Sequence, residues 1–401
     1  MSNNDSKVSL AIACVSFVFL FSLPSTALVQ KYFGLIGILS YLTIITVTLV
    51  SLLKLRSQIF SFVSKFYFAI LICVIGFGIA CFWILYPIEN KGLLGIGSDR
   101  DEALNIAFGE LMQGRYPYFA NTHLGGKITP LPGAILIASP FILLGNSAYQ
   151  NLFWLGVFIV LTTIYLESYV SAIIMLIFLS VLSPAFQYEY ISGGDLIANS
   201  IYVLTAIFLQ MKALPSASLS AKISTSLFTG IALASRSNFL TLLPLIFILF
   251  WRASGRRLAV TLTYLSVSVL TFISIVMPFY LVLPNSFPPF FAGNKLNELN
   301  ASLPFVSTGI ILLTLLVSLF LSLHLVKVPT ANLLRSFMIC CAAVQTLPMV
   351  CGVLLMSILN QQLDFRFLSH RYGLLFLFFA LWGLWPVLLA QNPSKGSAPS
   401  A

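Results

Sequence analysis

The chain has 401 residues, of which 59% are hydrophobic and 8% charged, with a formal net charge of +10 and a mean hydropathy of +1.00. Soluble domains carry about 25% charged residues, so a water-soluble globular fold is excluded, and repeated apolar runs of about 20 residues indicate an all-α polytopic membrane protein. The basic residues are dispersed between the apolar runs, which fits membrane loops and gives no footprint for nucleic acid.

In chain order, spans are predicted at 8–29, 33–53, 67–87, 148–166, 169–186, 196–212, 258–283, 303–326, 335–358 and 373–391. Ser25-Thr26-Ala27 faintly resembles a signal-peptide boundary, but a second apolar run follows almost at once, so an uncleaved first span is expected. Residues 131–146 are short and Pro-bounded, and predict a partly inserted helix on the outer face. Residues 224–250 are interrupted by Ser235-Arg236-Ser237-Asn238 and predict two short helices, 224–234 and 239–250, meeting at that polar tip. Residues 1–391 thus form a single transmembrane domain, and 392–401, rich in Pro, Ser and Gly, read as a disordered cytoplasmic tail. The six cysteines lie inside apolar runs without metal-ligand spacing and read as small hydrophobes. Trp382 and Trp385 suit an interfacial belt at the inner end of the last span.

Orientation follows from Lys and Arg. With the N-terminus in the cytoplasm, the inner segments hold 12 of the 21 basic residues and the outer segments hold 9. The acids sharpen this, because only Asp5 and Glu167 of the eleven fall inside. The inner loops are left net basic, while the outer face carries both signs, as a functional polar face does.

Residues 98–133 are the long polar interval, holding Asp99, Asp101, Glu102 and Glu110 together with Arg100, Arg115, His123 and Lys127. Ser98-x-x-Asp101 and Asp99-x-x-Glu102 both fit a helix start, and Leu104, Phe108, Leu111 and Met112 give an apolar stripe ending at Gly114. An amphipathic helix over 100–113, lying on the outer membrane surface, is predicted. Capping accounts for one acid but not for Asp99, Asp101 and Glu102 together. Asp195, beside Gly193-Gly194, begins a span on the outer side, either as a second acid in the cavity or as a helix cap. Arg236 interrupts an apolar stretch; a cation at membrane depth costs ~3 kcal/mol and marks either function or an ion pair, here with Asp195 or Glu189. Asp99, Asp101, Glu102 and His123 leave a divalent cation open, with no other cofactor indicated.

The order Asp101-Glu102-Ala103, Gly114, Pro117-Tyr118 and Lys127-x-x-Pro130-x-Pro132 resembles the first outer loop of the GT-C superfamily of membrane glycosyltransferases. It is most similar to the protein O-mannosyltransferase and lipid A aminoarabinose transferase branches. Ser183-Pro184 followed by Asp195, the break from Gly230 through Pro244, and His370-Arg371-Tyr372 before the last span extend the resemblance over about residues 67–280 and the end of the chain. It departs from those families in having two predicted spans ahead of the one that is usually first. The resemblance implies a GT-C-like bundle of about 10–13 transmembrane helices with amphipathic helices in an outer catalytic loop. It also implies transfer of a sugar from a polyprenyl-phosphate carrier to a glycan, lipid or protein acceptor, on the outward side of a bacterial cytoplasmic membrane. A base must take the acceptor's proton, and cations must hold the departing phosphate. Asp101 is the candidate base, with Glu102 and Asp195 as further acids; Lys127, Arg236 and Arg371 are the candidate phosphate ligands, and Asp99, His123 and His370 further polar contacts. A transporter or flippase, or a polymerase or ligase of lipid-linked glycans, are the alternatives.

Overall fold

The computed structural model describes residues 3–93, 98–291, 295–365 and 372–389. Among them are sixteen α-helices and short 3-10 turns, no strand, and one isolated bridge between Asn121 and Lys127. Seven helices are long and apolar enough to cross a membrane, or eight if one bent pair forms a span, and four shorter apolar helices accompany them. The protein is therefore an all-α polytopic membrane protein. The described helices run α1 (Asn3–Lys54), α2 (Arg56–Lys65), α3 (Tyr67–Asn90), α4 (Arg100–Met112), α5 (Pro132–Leu143), α6 (Gln150–Leu166), α7 (Tyr169–Leu182) and α8 (Pro184–Ile191). They continue as α9 (Leu196–Ala213), α10 (Leu219–Leu233), α11 (Leu243–Ala253), α12 (Leu258–Tyr280), α13 (Pro288–Phe291), α14 (Val306–Lys327), α15 (Leu333–Leu359) and α16 (Leu374–Leu389).

The first helix is continuous in hydrogen bonding but not in direction. Gly34 sits at φ 63°, ψ −160° in its middle, a conformation open to glycine and closed to most L-residues. Ser25 and Tyr41 flank this point, and in a straight helix 16 residues would separate them by about 24 Å. Both grip one short segment: Ala185 N donates to Ser25 Oγ at 3.1 Å and Tyr41 Oη donates to Leu182 O at 2.9 Å. The two limbs of α1 are thus antiparallel, which is the pair of spans predicted at 8–29 and 33–53.

The predicted span at 169–186 is corrected. The helix stops at Leu182, and α8 leaves at 85° to α7. Pro184 has no N–H to continue the ladder, and Ser183 caps the new helix by accepting from Phe186 N at 3.3 Å. The break predicted at 235–238 is present, with a 3-10 turn over Ser237–Leu242 between α10 and α11. The start of α5 packs against it: Leu131 N donates to Ser235 O at 3.1 Å and Gly133 N to Ala234 O at 2.8 Å. A Cβ on Gly133 would lie 2.3 Å from Ile231 O, so only glycine allows this approach.

The core runs along α16, which is buried over most of its length. Trp382 and Trp385 are 0% and 1% exposed and pack on Tyr165, Phe208, Phe17 and Phe178. They are core residues, not members of an interfacial belt. Pro386 leaves the Trp382 carbonyl without its helical donor, and Tyr165 Oη supplies one at 3.0 Å.

The orientation predicts that a cysteine placed at exposed Asn121 is labelled by an impermeant maleimide in intact cells, in a background with the native cysteines replaced. One at exposed Arg257 should react only after permeabilisation; Ser254, in the same segment, is buried and would be silent either way. Labelling of the Arg257 position alone in intact cells would invert the topology.

Candidate functional site

Helix α4 carries the first acids, and their side chains do not cap it. Asp99 occupies the N-cap position without a side-chain cap bond, and the Ser98 hydroxyl is buried without a partner. The apolar stripe differs from the predicted one. Ala103, Leu104 and Ala107 are buried, with Asp101 on the same side, whereas Met112 is 69% exposed. One side of this helix packs into the protein, against the Tyr118 turn and α5. Leu104, Phe108 and Leu111 of the predicted stripe do join this packing, the small Ala103 and Ala107 are added to it, and Met112 alone falls outside.

Asp101 is 2% exposed. One carboxylate oxygen, Oδ2, accepts from Tyr86 Oη at 2.5 Å, Asn146 Nδ2 at 3.2 Å and Asn90 Nδ2 at 3.3 Å. Asn90 and Asn146 also donate to Tyr86 Oη at 2.8 and 2.7 Å, fixing its proton on the carboxylate side. The other oxygen, Oδ1, is buried without a hydrogen-bond partner. Burial raises the Asp101 carboxyl above the ordinary carboxylate range, and the bonds from Tyr86 and Asn146 offset part of that rise.

Arg100, the preceding residue, enters a second cluster. Its Nη1 lies 3.6 Å from Glu189 Oε1 on α8, and that oxygen also accepts Leu196 N at 3.0 Å, so Glu189 rather than Asp195 caps α9. A Cβ on Gly194 would fall 2.2 Å from Glu189 Oε1. Asp195, 1% exposed, accepts from Arg236 Nη2 at 2.5 Å and Asn199 Nδ2 at 2.9 Å. Burial alone would raise its carboxyl; the Arg236 guanidinium more than offsets this and holds it below the ordinary range. Arg236 also reaches Thr129 Oγ1 at 3.5 Å, joining the 235–238 break to the outer loop. Three atoms of this cluster, Arg100 Nε, Arg236 Nε and Glu189 Oε2, are buried without a hydrogen-bond partner.

The remaining outer residues form a shell closer to solvent. Asp99 Oδ2 accepts from Thr122 Oγ1 at 2.7 Å. Glu102 pairs with His123, whose backbone N donates to the same Oε2 at 3.1 Å while its ring Nδ1 makes a shorter contact. That bond from Glu102 raises the His123 imidazole above its ordinary 6.5. A raised histidine contributes to stability fully below the unfolded value and loses the contribution as pH rises through the folded one. The chain has three histidines, so the His123 resonance is assignable by single substitution. It is expected to titrate above 6.5 in the folded protein and to fall back in Glu102→Gln; an unchanged titration in Glu102→Gln would show that the pair does not form.

The three acids at the start of α4 therefore turn to three different partners: Asp99 to Thr122, Asp101 to Tyr86 and Glu102 to His123. Among the described residues no group of three or more His, Cys, Asp or Glu comes together as a metal site. Lys127 is exposed and its side chain makes no ion pair among the described residues. His370 and Arg371 lie outside the described residues. Sequence reading missed Tyr86, Asn90, Asn146 and Arg100 as site members. The spacing Tyr86-x-x-x-Asn90 at the end of a span was a usable signal, because positions four apart share one helix face. Compared with protein-family models, curated proteins and solved structures, the chain matches none of them.

Proposed function

We propose that this chain is a membrane glycosyltransferase of the GT-C type. It moves a sugar from a polyprenyl-phosphate carrier to an acceptor hydroxyl of a glycan, lipid or protein on the outer face of a bacterial cytoplasmic membrane. The observation that supports this most is the pairing on α4 of a buried carboxylate with one unsatisfied oxygen and, one residue earlier, an arginine in a cluster with unsatisfied N–H donors. Buried polar atoms without partners call for an occupant or a role. In the proposed step the acceptor oxygen bonds to the anomeric carbon as the bond from that carbon to the phosphate oxygen breaks. Asp101 takes the hydroxyl proton through Oδ1. The phosphate leaves with the electron pair of the broken bond, and the free Nε–H groups of Arg100 and Arg236 stabilise its charge. Lys127, exposed on the loop, suits an early contact with the carrier phosphate, and Glu102 with His123 orients the acceptor at the rim.

Charges gathered at one end of the bundle suit a reaction at one face better than a pathway across the membrane, where ionisable groups sit at mid-span. The test is extraction of lipid-linked sugars and surface glycans from a strain lacking the chain. A polyprenyl-phosphate sugar should accumulate as one surface glycan loses that sugar, and both should revert on complementation. Loss of the lipid-linked sugar from the outer leaflet with its accumulation inside would instead identify a flippase.

A further inference from the structure

A cavity of about 280 Å³ lies at the opposite end of the bundle from Asp101, and the glycosyl-transfer reading does not use it. Its walls are Tyr165 and Leu166 at the end of α6, Ser171 at the start of α7, Asn332 and Arg335 at the start of α15, and Trp385 on α16. Arg335 supplies the one formal charge in this lining, and its side chain makes no ion pair or hydrogen bond among the described residues. Trp385 is 1% exposed, and its indole Nε1–H is buried without a partner. Asn332 makes no side-chain cap for α15; the 3-10 turn before it ties Leu333 N to Thr330 O, and the positive end of the helix lies at the cavity wall. Glu167, the acid in this turn, is exposed and does not line the cavity.

We propose that this cavity is a binding site for a phosphate group, and that its occupant is the headgroup of an anionic phospholipid of the inner leaflet. A lone cation, an unsatisfied indole donor, a serine hydroxyl and a helix start without a side-chain cap make a donor-rich lining that holds no carboxylate, which suits a phosphate oxygen. The lipid source follows from position. The cavity sits where α6 and α16 end, with Pro386 and Leu389 forming its apolar side, and the inner loops are net basic, which enriches anionic lipid nearby. A headgroup seated there would tie the α6–α7 turn to α15.

The test uses the full chain purified in detergent and exchanged into nanodiscs with equal phosphatidylglycerol and phosphatidylcholine. Native mass spectrometry reads the lipid retained, and a parallel thermal-shift titration uses inorganic phosphate alone. The expected result is preferential retention of phosphatidylglycerol, lowered on the order of tenfold by Arg335→Gln, the scale of one charge-assisted hydrogen bond. Arg335→Lys should recover part of that loss, which shows that the variant is folded. Arg257→Gln, which removes an exposed inner arginine outside the cavity, should leave retention unchanged. Stabilisation by inorganic phosphate that depends on Arg335, without lipid preference, would uphold the phosphate site and overturn the lipid as its occupant. Equal retention by wild type and Arg335→Gln, with no phosphate response, would overturn the site itself.

Discussion

Asp101→Asn should lower sugar transfer by ~10²-fold or more, the usual scale for loss of general-base help, while the protein reaches the membrane at near-normal level. The substitution keeps the shape of the side chain, and its carbonyl oxygen can still accept from Tyr86 Oη, the 2.5 Å bond that anchors the wild-type carboxylate. What it removes is the ability to take a proton through Oδ1. The pH dependence adds a second handle. Burial raises the Asp101 carboxyl, so the acid limb of the transfer profile should lie above about 3.9, the ordinary aspartate value. The Tyr86 bond favours the charged form, so Tyr86→Phe should push that limb higher still and retain transfer at alkaline pH. Asp99→Asn, which changes the same loop charge at the Thr122 contact, is the control. Near-normal transfer by Asp101→Asn would sink the base assignment; equal losses at Asp99 and Asp101 would replace it with general electrostatics.

Arg236→Ala should be the most destabilising substitution at the site. It leaves Asp195, 1% exposed, with Asn199 as its remaining hydrogen-bond partner. Stranding one member of a buried ion pair costs about 3–5 kcal/mol, enough to show as a lower melting temperature in detergent and a lower folded yield. Replacing both charges, as Asp195→Asn with Arg236→Gln, should recover most of that stability because no buried charge is stranded. Transfer should stay low in the double variant if Arg236 also holds the leaving phosphate. Recovery of both stability and transfer would confine Arg236 to holding the 235–238 break in place. A fully stable Arg236→Ala would mean that the pair with Asp195 contributes little to the fold.

The helices of this protein were legible because apolar runs and breaks are local properties. The two runs before residue 54 and the interruption at Ser235-Arg236-Ser237-Asn238 both stand in the structure. The 85° turn between α7 and α8 was legible in Pro184 but was passed over, because the apolar run continues beyond it. The site was read less well. The acids were found by their rarity, and the pair of Arg236 with Asp195 was among those expected, but the partners of Arg100 and Asp101 were not, since Tyr86, Asn146 and Glu189 meet α4 from other segments. Hydrogen bonds over that sequence separation leave no periodic trace. The cap reading of Asp99 and Asp195 failed for the same reason: Thr122 and Arg236 compete for those carboxylates, and neither lies near them in the sequence.

Arg100 and Asp101 are neighbours in the chain, yet one side chain engages Glu189 beneath α9 while the other engages Tyr86 on α3. A helix held by two adjacent side chains pulling toward different neighbours has one rotational setting. Turning α4 by a single residue, about 100°, would unseat both anchors at once. Weakening either anchor should therefore loosen the other as well, and with it the setting of the Asp101 carboxylate. Variants at Glu189, which touches Arg100 rather than Asp101, are then expected, on the glycosyltransfer reading, to act through the setting of α4 and of the Arg100 guanidinium while leaving the proton-transfer group itself in place.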